Sequence, residues 1–398
     1  MDMSKFQIYL FYLSLFLSYF LGQNILFSLG YYESPKIYTP AILLMMVVCF
    51  PLILEIRQFR EECNTFLFII VMLGLTKFMG GDPDFKASIV SLVLPPLFLA
   101  FIVKNFNSIN WEKLKSMLYI FIVLDCTMAI VERIRGACFF PDLPYETFFN
   151  ESGMYMFRSY ALLGHPLANS STILTIVLFI LVFEKSMFKK NAIFILSVLA
   201  LLCFNSRFSL LIMVAFYSLY VITDFTNRHI TFKWKFFYVL VIIGGLYSVL
   251  YLFSLGWGDR LIENGLDDGS SQTRILIFDI FKNSSVYDFL WGRSYSDVVA
   301  LKRMTGTNDL AIENPWITFL LRYGIIFEIL GIYFYVKLFR KQLSYFTKYE
   351  LFMTLCPWLL QISSSNSISN PSLALCQIFL YFYIFGENRL RKRLLFKL

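Results

Sequence analysis

A chain of 398 residues in which 58% are hydrophobic and only 16% are charged is too apolar for a soluble domain. The formal net charge of +8 comes from Lys and Arg residues in short clusters between apolar segments, which indicates membrane topology and argues against nucleic-acid binding. The seven Cys residues have neither the spacing of metal ligands nor that of a disulfide framework. The composition therefore predicts an all-α polytopic membrane protein.

Apolar segments of membrane-spanning length recur along the chain, and we interpret them as one transmembrane domain, 1–398, of about twelve helices. The approximate spans are 6–29, 37–54, 65–79, 87–103, 117–134, 169–183, 192–204, 208–223, 236–253, 317–336, 350–361 and 372–385. The first span is too long for a cleavable signal and is expected to direct insertion itself. With a cytoplasmic N-terminus, the Lys and Arg clusters fall on one side of the membrane. This topology predicts two long loops on the outer face, 135–168 and 254–316.

The first outer loop contains two candidate site residues. Arg158 carries a positive charge on the outer side, where it works against the predicted orientation, so we expect it to serve a ligand. His165 lies between Gly164 and Pro166, which fix the backbone near the membrane surface. It is either a functional group or a satisfied polar residue. Asp125, deep in the fifth span, is likewise either functional or a hydrogen-bonded structural acid.

Another cation, Arg207, lies in a tight outer turn at 204–209. An arginine at bilayer depth is costly unless it faces a polar cavity or an anion. The alternative is that Arg207 extends along the helix to reach lipid headgroups.

The second outer loop, 254–316, is the largest polar stretch of the chain. Arg274 precedes a predicted short helix at 275–282, where backbone N–H groups favour anions. A turn is predicted at 289–293. At the end of the loop, Glu313 places a carboxylate at the water boundary, where it is a candidate general base.

Three separated pieces of the chain resemble the successive signatures of the O-antigen polymerase and O-antigen ligase superfamily. They are Arg158 with Gly164-His165-Pro166, then Asn205-Ser206-Arg207-Phe208-Ser209-Leu210, and then Gln272-Thr273-Arg274 with Trp291-Gly292 and the run from Glu313 to Ile326. The resemblance covers roughly 150–335, whereas the first 130 residues match only in hydropathy. Asn314, Arg293 and Arg322 fall within it and are secondary candidates.

The resemblance implies a metal-independent, cofactor-free glycosyltransferase that takes a glycan from undecaprenyl diphosphate and joins it to an acceptor hydroxyl. It also implies that Arg207 and Arg274 hold the diphosphate, on which Arg158 could converge. The ligases and many of their relatives carry a His before the Asn of the last motif, whereas this chain has Glu313 before Asn314. That departure favours a polymerase and leaves Glu313 and His165 as alternative bases.

These expectations describe a polymerase that joins lipid-linked repeat units into O-antigen or capsular polysaccharide, in a bacterial inner membrane with the site facing the periplasm. The expected partners are the lipid-linked donor and acceptor, the bilayer and a chain-length-regulating membrane protein. A ligase or related transferase is the first alternative. A lipid-linked oligosaccharide flippase is the second, although it would not need so long an outer loop, and no internal repeat pairs the two halves of the chain.

Overall fold

The computed structural model describes residues 3–30, 39–140, 157–226, 284–304, 312, 314–365 and 368–395, together with four isolated positions between 235 and 251. This part of the chain is helical and contains no β-strand, as the composition predicted.

The helices are numbered here in chain order. They are α1 (Met3–Phe20), α2 (Gln23–Ser28), α3 (Pro40–Cys49), α4 (Arg60–Phe78), α5 (Phe85–Ser88), α6 (Leu94–Lys104), α7 (Trp111–Arg135), α8 (Pro166–Phe183), α9 (Met187–Cys203), α10 (Arg207–Thr226), α11 (Val286–Trp291), α12 (Tyr295–Met304), α13 (Pro315–Leu343), α14 (Lys348–Ser363) and α15 (Ala374–Leu395). A π-helical segment, Ile89–Val93, joins α5 to α6. Each predicted span coincides with one or more of these helices except 236–253, which lies largely outside the described residues.

Five helices in the described part of the chain are long and apolar enough to cross a membrane. They are Phe85–Lys104, Trp111–Arg135, Pro166–Phe183, Arg207–Phe225 and Pro315–Leu343. The first of these is the most enclosed, since 83% of its apolar window is buried, and it forms the centre of the bundle. A membrane protein is therefore supported, whereas the number of twelve spans stays a prediction.

Clusters of Lys and Arg meet at one end of the bundle, which we call the cation-rich end. The ion pairs that join elements there are Lys104 with Glu55 (2.5 Å), Lys115 with Glu184 (3.2 Å), Lys337 with Glu61 (3.2 Å), Lys341 with Glu62 (3.0 Å) and Arg389 with Glu350. Tyr383 lies among them, because its ring contacts Trp111 and its hydroxyl donates to Gln342. These contacts place the clusters side by side.

The opposite end, which we call the loop end, is where α7, α9 and α14 end and where α8, α10 and α13 begin. Side chains tie these termini together. Trp316 Nε1 donates to Ser363 Oγ at 2.8 Å, and Ser209 Oγ donates to Gln361 Oε1 at 2.9 Å. The structure thus gathers at one end the helix termini that flank 136–165 and the start of α13.

Gly324 interrupts α13 within its apolar sequence, about a third of the way from its start. Its φ of 78° and ψ of 164° are not helical, and such a combination is adopted almost only by glycine. A Cβ atom at Gly324 would lie 2.2 Å from the carbonyl oxygen of Leu290, so α11 packs directly on the break. The Arg293 backbone N–H donates to Leu321 O at 2.7 Å, which satisfies a carbonyl that the interrupted helix leaves open.

The predicted turn at 289–293 is partly wrong, since residues 289–291 belong to α11. Ser285 caps this helix, because its hydroxyl accepts from the Asp288 N–H while the Asp288 carboxylate accepts from the Ser285 N–H. This capping box favours a helix over a turn. The chain turns only afterwards, at Gly292 with a φ of 85°.

Candidate functional site

The segment 157–165 of the first predicted outer loop is held by a buried acid of α7. Glu132 is 1% exposed, and its carboxylate accepts backbone hydrogen bonds from Tyr160 at 2.8 Å, Ala161 at 3.0 Å and Phe139 at 3.0 Å. These charge-assisted bonds satisfy N–H groups that have no partner in a helix. Glu132 therefore fixes the path of the chain just before His165.

Asp125, two turns earlier on the same helix, acts in the same way. Its Oδ1 accepts from the Leu162 N–H at 2.9 Å, while Asn169 Oδ1 accepts from the Leu163 N–H at 3.1 Å. Of the two alternatives for Asp125, the structure supports the hydrogen-bonded structural acid. Together these groups hold a compact loop that includes Ala161 at a φ of 42°.

Arg158 lies against the turn that precedes Arg207. The Arg158 Nε donates to the carbonyl oxygen of Phe204 at 3.0 Å, and the Asn205 amide nitrogen donates to Phe157 O at 3.2 Å. The Ser159 N–H reaches the Cys203 carbonyl at 3.1 Å. Two sequence pieces that were singled out separately are therefore brought together, and Arg158 positions the turn with one of its donors.

Arg207 is the first residue of α10 and is half-buried. A chain of hydroxyls anchors this helix start, since Ser206 Oγ donates to Ser209 Oγ at 2.9 Å, which in turn donates to Gln361 on α14. The Arg207 residue therefore lies at the N-terminus of a long helix, whose first backbone N–H groups have no partner within the helix. The positive charge and these N–H groups both favour an anion.

Asn314 begins α13 as its N-cap. Its side-chain oxygen accepts from the backbone N–H groups of Trp316 at 3.0 Å and Ile317 at 3.3 Å, and Pro315 follows it as the first helical residue. The helix therefore starts two residues before the predicted span 317–336, with an asparagine N-cap and a proline at the first position, both of which favour a helix start. Because Trp316 bonds Ser363 two residues beyond Gln361, the starts of α10 and α13 flank the end of α14.

His165 caps the start of α8 with its backbone and lies beside Arg158. Burial and then the Arg158 charge lower the pKa of its imidazole from 6.5 to about 4. His165 is nevertheless only half-buried, so it lies at the edge of the loop end. At neutral pH the imidazole is uncharged and can accept a proton, although as a weak base.

The other predicted site residues lie elsewhere. Glu313 and Arg274 fall outside the described residues. Arg293 pairs with Asp288 at 3.2 Å, and Arg322 pairs with Asp84 at 3.4 Å. These two arginines belong to the break in α13, where the backbone of 293 meets that of 321, and no described contact joins them to Arg158.

Two asparagines near the site were given no role from the sequence. Asn24 is fully buried against Gly164, and neither its amide oxygen nor its amide nitrogen has a hydrogen-bond partner in the described structure. Asn205, at a φ of 52°, leaves its side-chain oxygen without a partner. Such buried amides suit a bound water. The sequence did contain a signal for Asn24, because Gln23 and Asn24 are two adjacent amides that interrupt the first apolar segment.

The loop end thus combines two arginines, a neutral histidine and three helix N-termini, a set that can hold an anion and accept a proton beside it. No protein-family model, curated protein or solved structure matches the chain.

Proposed function

We propose that this protein is a membrane-embedded glycosyltransferase that polymerises oligosaccharide repeat units carried on undecaprenyl diphosphate. One observation carries the proposal: Arg158 packs on the turn that leads into Arg207 and lies beside His165, at the end of the bundle where α13 also begins. The proposal keeps the bacterial inner membrane as its location, with the loop end facing the periplasm.

The departing group in such a reaction is a lipid diphosphate, whose negative charge must be stabilised as the glycosidic bond to it breaks. Arginine suits this role because its guanidinium is permanently charged and binds phosphate oxygens through two parallel donors. Arg207 at a helix start adds backbone N–H groups to that charge. Arg274 is the third cation of the proposed site. With charge compensation supplied by the protein, the proposed reaction needs no metal.

The acceptor hydroxyl must lose a proton as it attacks the sugar. Glu313 is our proposed base, because it directly precedes Asn314, whose side chain caps α13 at the loop end. His165 is the alternative base, and its low proton affinity suits a positioning role better.

The first test uses purified protein in liposomes with lipid-linked repeat units, and it measures chain extension and donor binding separately. Arg207→Ala and Arg274→Ala should each reduce extension by about 100-fold or more, because each removes charge compensation at the diphosphate. Lys at either position should restore extension only partly, since a point charge lacks the two-donor geometry. Arg57 is exposed at the cation-rich end, so Arg57→Ala is the matched control, and this variant should extend chains at the wild-type rate.

The same assay separates the two bases. Glu313→Gln should bind donor yet nearly stop extension, whereas His165→Gln should leave measurable extension. The reverse result would make His165 the base. Normal chain lengths in either Arg→Ala variant would remove that arginine from the site.

A transporter of lipid-linked oligosaccharides is favoured by one feature, the break at Gly324 within α13, because discontinuous helices are common at transport sites. A transporter would move labelled donor across the liposome membrane without lengthening it. Lengthening of the glycan in the purified system would support the polymerase instead.

A further inference from the structure

A long apolar crevice separates α13 from α14 and runs from the loop end towards the cation-rich end. Its volume is about 630 Å³, and its walls are mostly apolar from Trp316 near the loop end to Leu343 near the cation-rich end, with Glu328 and Arg340 among the lining residues. Ile332, Val336 and Leu359 line it and are 44%, 57% and 44% exposed, so the crevice opens on the outer surface of the bundle. In a membrane, that surface faces lipid.

The crevice is long enough for one lipid chain. Beyond the break at Gly324, the crevice follows α13 from Phe327 to Arg340, which corresponds to roughly 20 Å of helix at about 1.5 Å per residue. That length is sufficient for the hydrocarbon of one leaflet, about 15 Å, which is half of the bilayer core. An apolar groove of this shape fits an extended acyl chain better than a compact solute.

Charge at the cation-rich mouth identifies which lipid fits. Lys337 and Lys341 are neutralised by Glu61 at 3.2 Å and Glu62 at 3.0 Å. Arg340, which lies between them in sequence and lines the mouth, is exposed and forms no ion pair with any described acid. Its guanidinium is therefore available to a phosphate of the neighbouring leaflet.

Glu328 lies halfway between Trp316 and Arg340 on the wall of the crevice. It is half-buried and makes no ion pair within the described residues. An ionised carboxylate at this depth would be costly, so the neutral acid is the form that fits beside a hydrocarbon chain. Chemical modification of the Glu328 carboxyl group therefore reports whether a lipid occupies the crevice.

We propose that the crevice between α13 and α14 is a binding site for one anionic glycerophospholipid, with an acyl chain along Glu328 and the phosphate on Arg340. The lipid site does not depend on the proposed glycosyl transfer, because its phosphate-binding residue, Arg340, lies at the end of the bundle opposite Arg207. It applies equally if the protein has another activity.

The test is native mass spectrometry of the full-length protein after detergent extraction and addition of phosphatidylglycerol or zwitterionic phosphatidylcholine. Wild type should retain phosphatidylglycerol about fivefold better than phosphatidylcholine, and Arg340→Ala should remove that preference. Arg57→Ala is the matched control, because it removes an exposed arginine at the same end but away from the crevice. It should bind both lipids as wild type does.

A second pair of variants tests the crevice itself. Gly331 lines it, and a Cβ there would meet only the Phe327 ring, at 3.9 Å, so Gly331→Leu should fill the crevice without disturbing the backbone. It should lower retention of both lipids. Gly74→Leu, on α4 with open space around the new Cβ, is the control and should bind normally. Equal thermal midpoints would show that both variants are folded.

Dicyclohexylcarbodiimide gives an independent readout, since this apolar reagent adds to neutral carboxyl groups in apolar surroundings. The acid proton goes to a reagent nitrogen while the carboxyl oxygen bonds its central carbon, and rearrangement leaves a stable N-acylurea. Glu328 should react in delipidated protein and be protected by phosphatidylglycerol. Equal reaction with and without the lipid, unchanged preference in Arg340→Ala, or undiminished binding in Gly331→Leu would each overturn the proposal.

Discussion

At the scale of single residues, buried acids hold the backbone of the loop next to the candidate site through hydrogen bonds. Glu132 and Asp125 both lie on α7, and their carboxylates accept backbone N–H groups of the loop that carries Arg158 and His165. Hydropathy analysis detects an acid in an apolar segment but does not identify its partners, because the partner N–H groups lie 28 to 37 positions away in sequence. Sequence alone therefore left the role of Asp125 open and gave Glu132 none.

Glu132→Gln should destabilise the protein. The amide retains one acceptor oxygen but turns an NH₂ group toward N–H donors of the loop, so at least one buried donor loses its partner. We expect the free energy of unfolding to fall by about 2 kcal/mol, measured as a lower apparent melting temperature in detergent. Glu112→Gln, an exposed position at the other end of α7, is the control. Equal melting temperatures for the two variants would contradict the anchoring role.

His165 predicts a pH dependence of stability. Its pKa falls on folding from 6.5 to about 4, through burial and then the Arg158 charge, so between these pH values the unfolded chain binds more protons than the folded one. Its contribution to stability is therefore complete above pH 6.5 and is lost as the pH falls towards 4. His165→Gln should reduce this acid sensitivity in melting curves recorded from pH 4 to pH 8. His229→Gln, which removes the other of the two histidines in the sequence, is the control and should retain it. Identical acid sensitivity in wild type and His165→Gln would argue against the burial described here.

At the scale of helices, the positions of the helices were predictable because a run of apolar residues sufficient to cross a bilayer has few other stable conformations in lipid. The break in α13 was not predictable. A single glycine in an apolar run is usually tolerated within a helix, and only the close approach of α11 requires the positive φ of Gly324. The residue that packs against the break, Leu290, is 34 positions earlier in the sequence, so the sequence around Gly324 does not show the contact.

Gly324→Ala should therefore disturb the junction of α11 and α13. The alanine would need both a strained backbone, at a cost of about 1–3 kcal/mol, and displacement of the Leu290 carbonyl. Gly331→Ala is the control in the same helix, because its φ and ψ are helical and its surroundings are open. We expect a lower melting temperature for Gly324→Ala and an unchanged or higher one for Gly331→Ala. A Gly324→Ala protein as stable as wild type would show that the break is not required.

At the scale of the whole molecule, the two ends differ in chemistry. Ion pairs such as Lys341 with Glu62 join helices at the cation-rich end, whereas hydroxyl–amide bonds between side chains and carboxylate bonds to the backbone organise the loop end. The sequence predicted that the cations share a side, because cations near the ends of spans set membrane orientation. It could not predict that α14 would join the starts of α10 and α13, since that contact depends on packing.

The orientation of the two ends is testable with a membrane-impermeant maleimide in intact cells. Ser296→Cys, exposed on α12 in the second predicted outer loop, should be labelled from outside. Arg57→Cys, exposed at the cation-rich end, should be labelled only after lysis. The unsubstituted protein measures the background from native cysteines. Labelling in the opposite pattern would invert the topology and place the candidate site in the cytoplasm.

The buried bond between Tyr19 and Tyr381 has a consequence for biogenesis. Their hydroxyls lie 2.8 Å apart, yet 362 positions separate them, which corresponds to roughly 20–70 s of translation at about 5–20 residues per second. During that interval the Tyr19 hydroxyl lacks its native partner, and an unsatisfied polar group in hydrocarbon costs several kcal/mol. Ser14, which donates to Ala41 O at 2.8 Å, lets the nascent chain hold α1 against α3 meanwhile. The bundle closes around its first helix only when α15 leaves the ribosome.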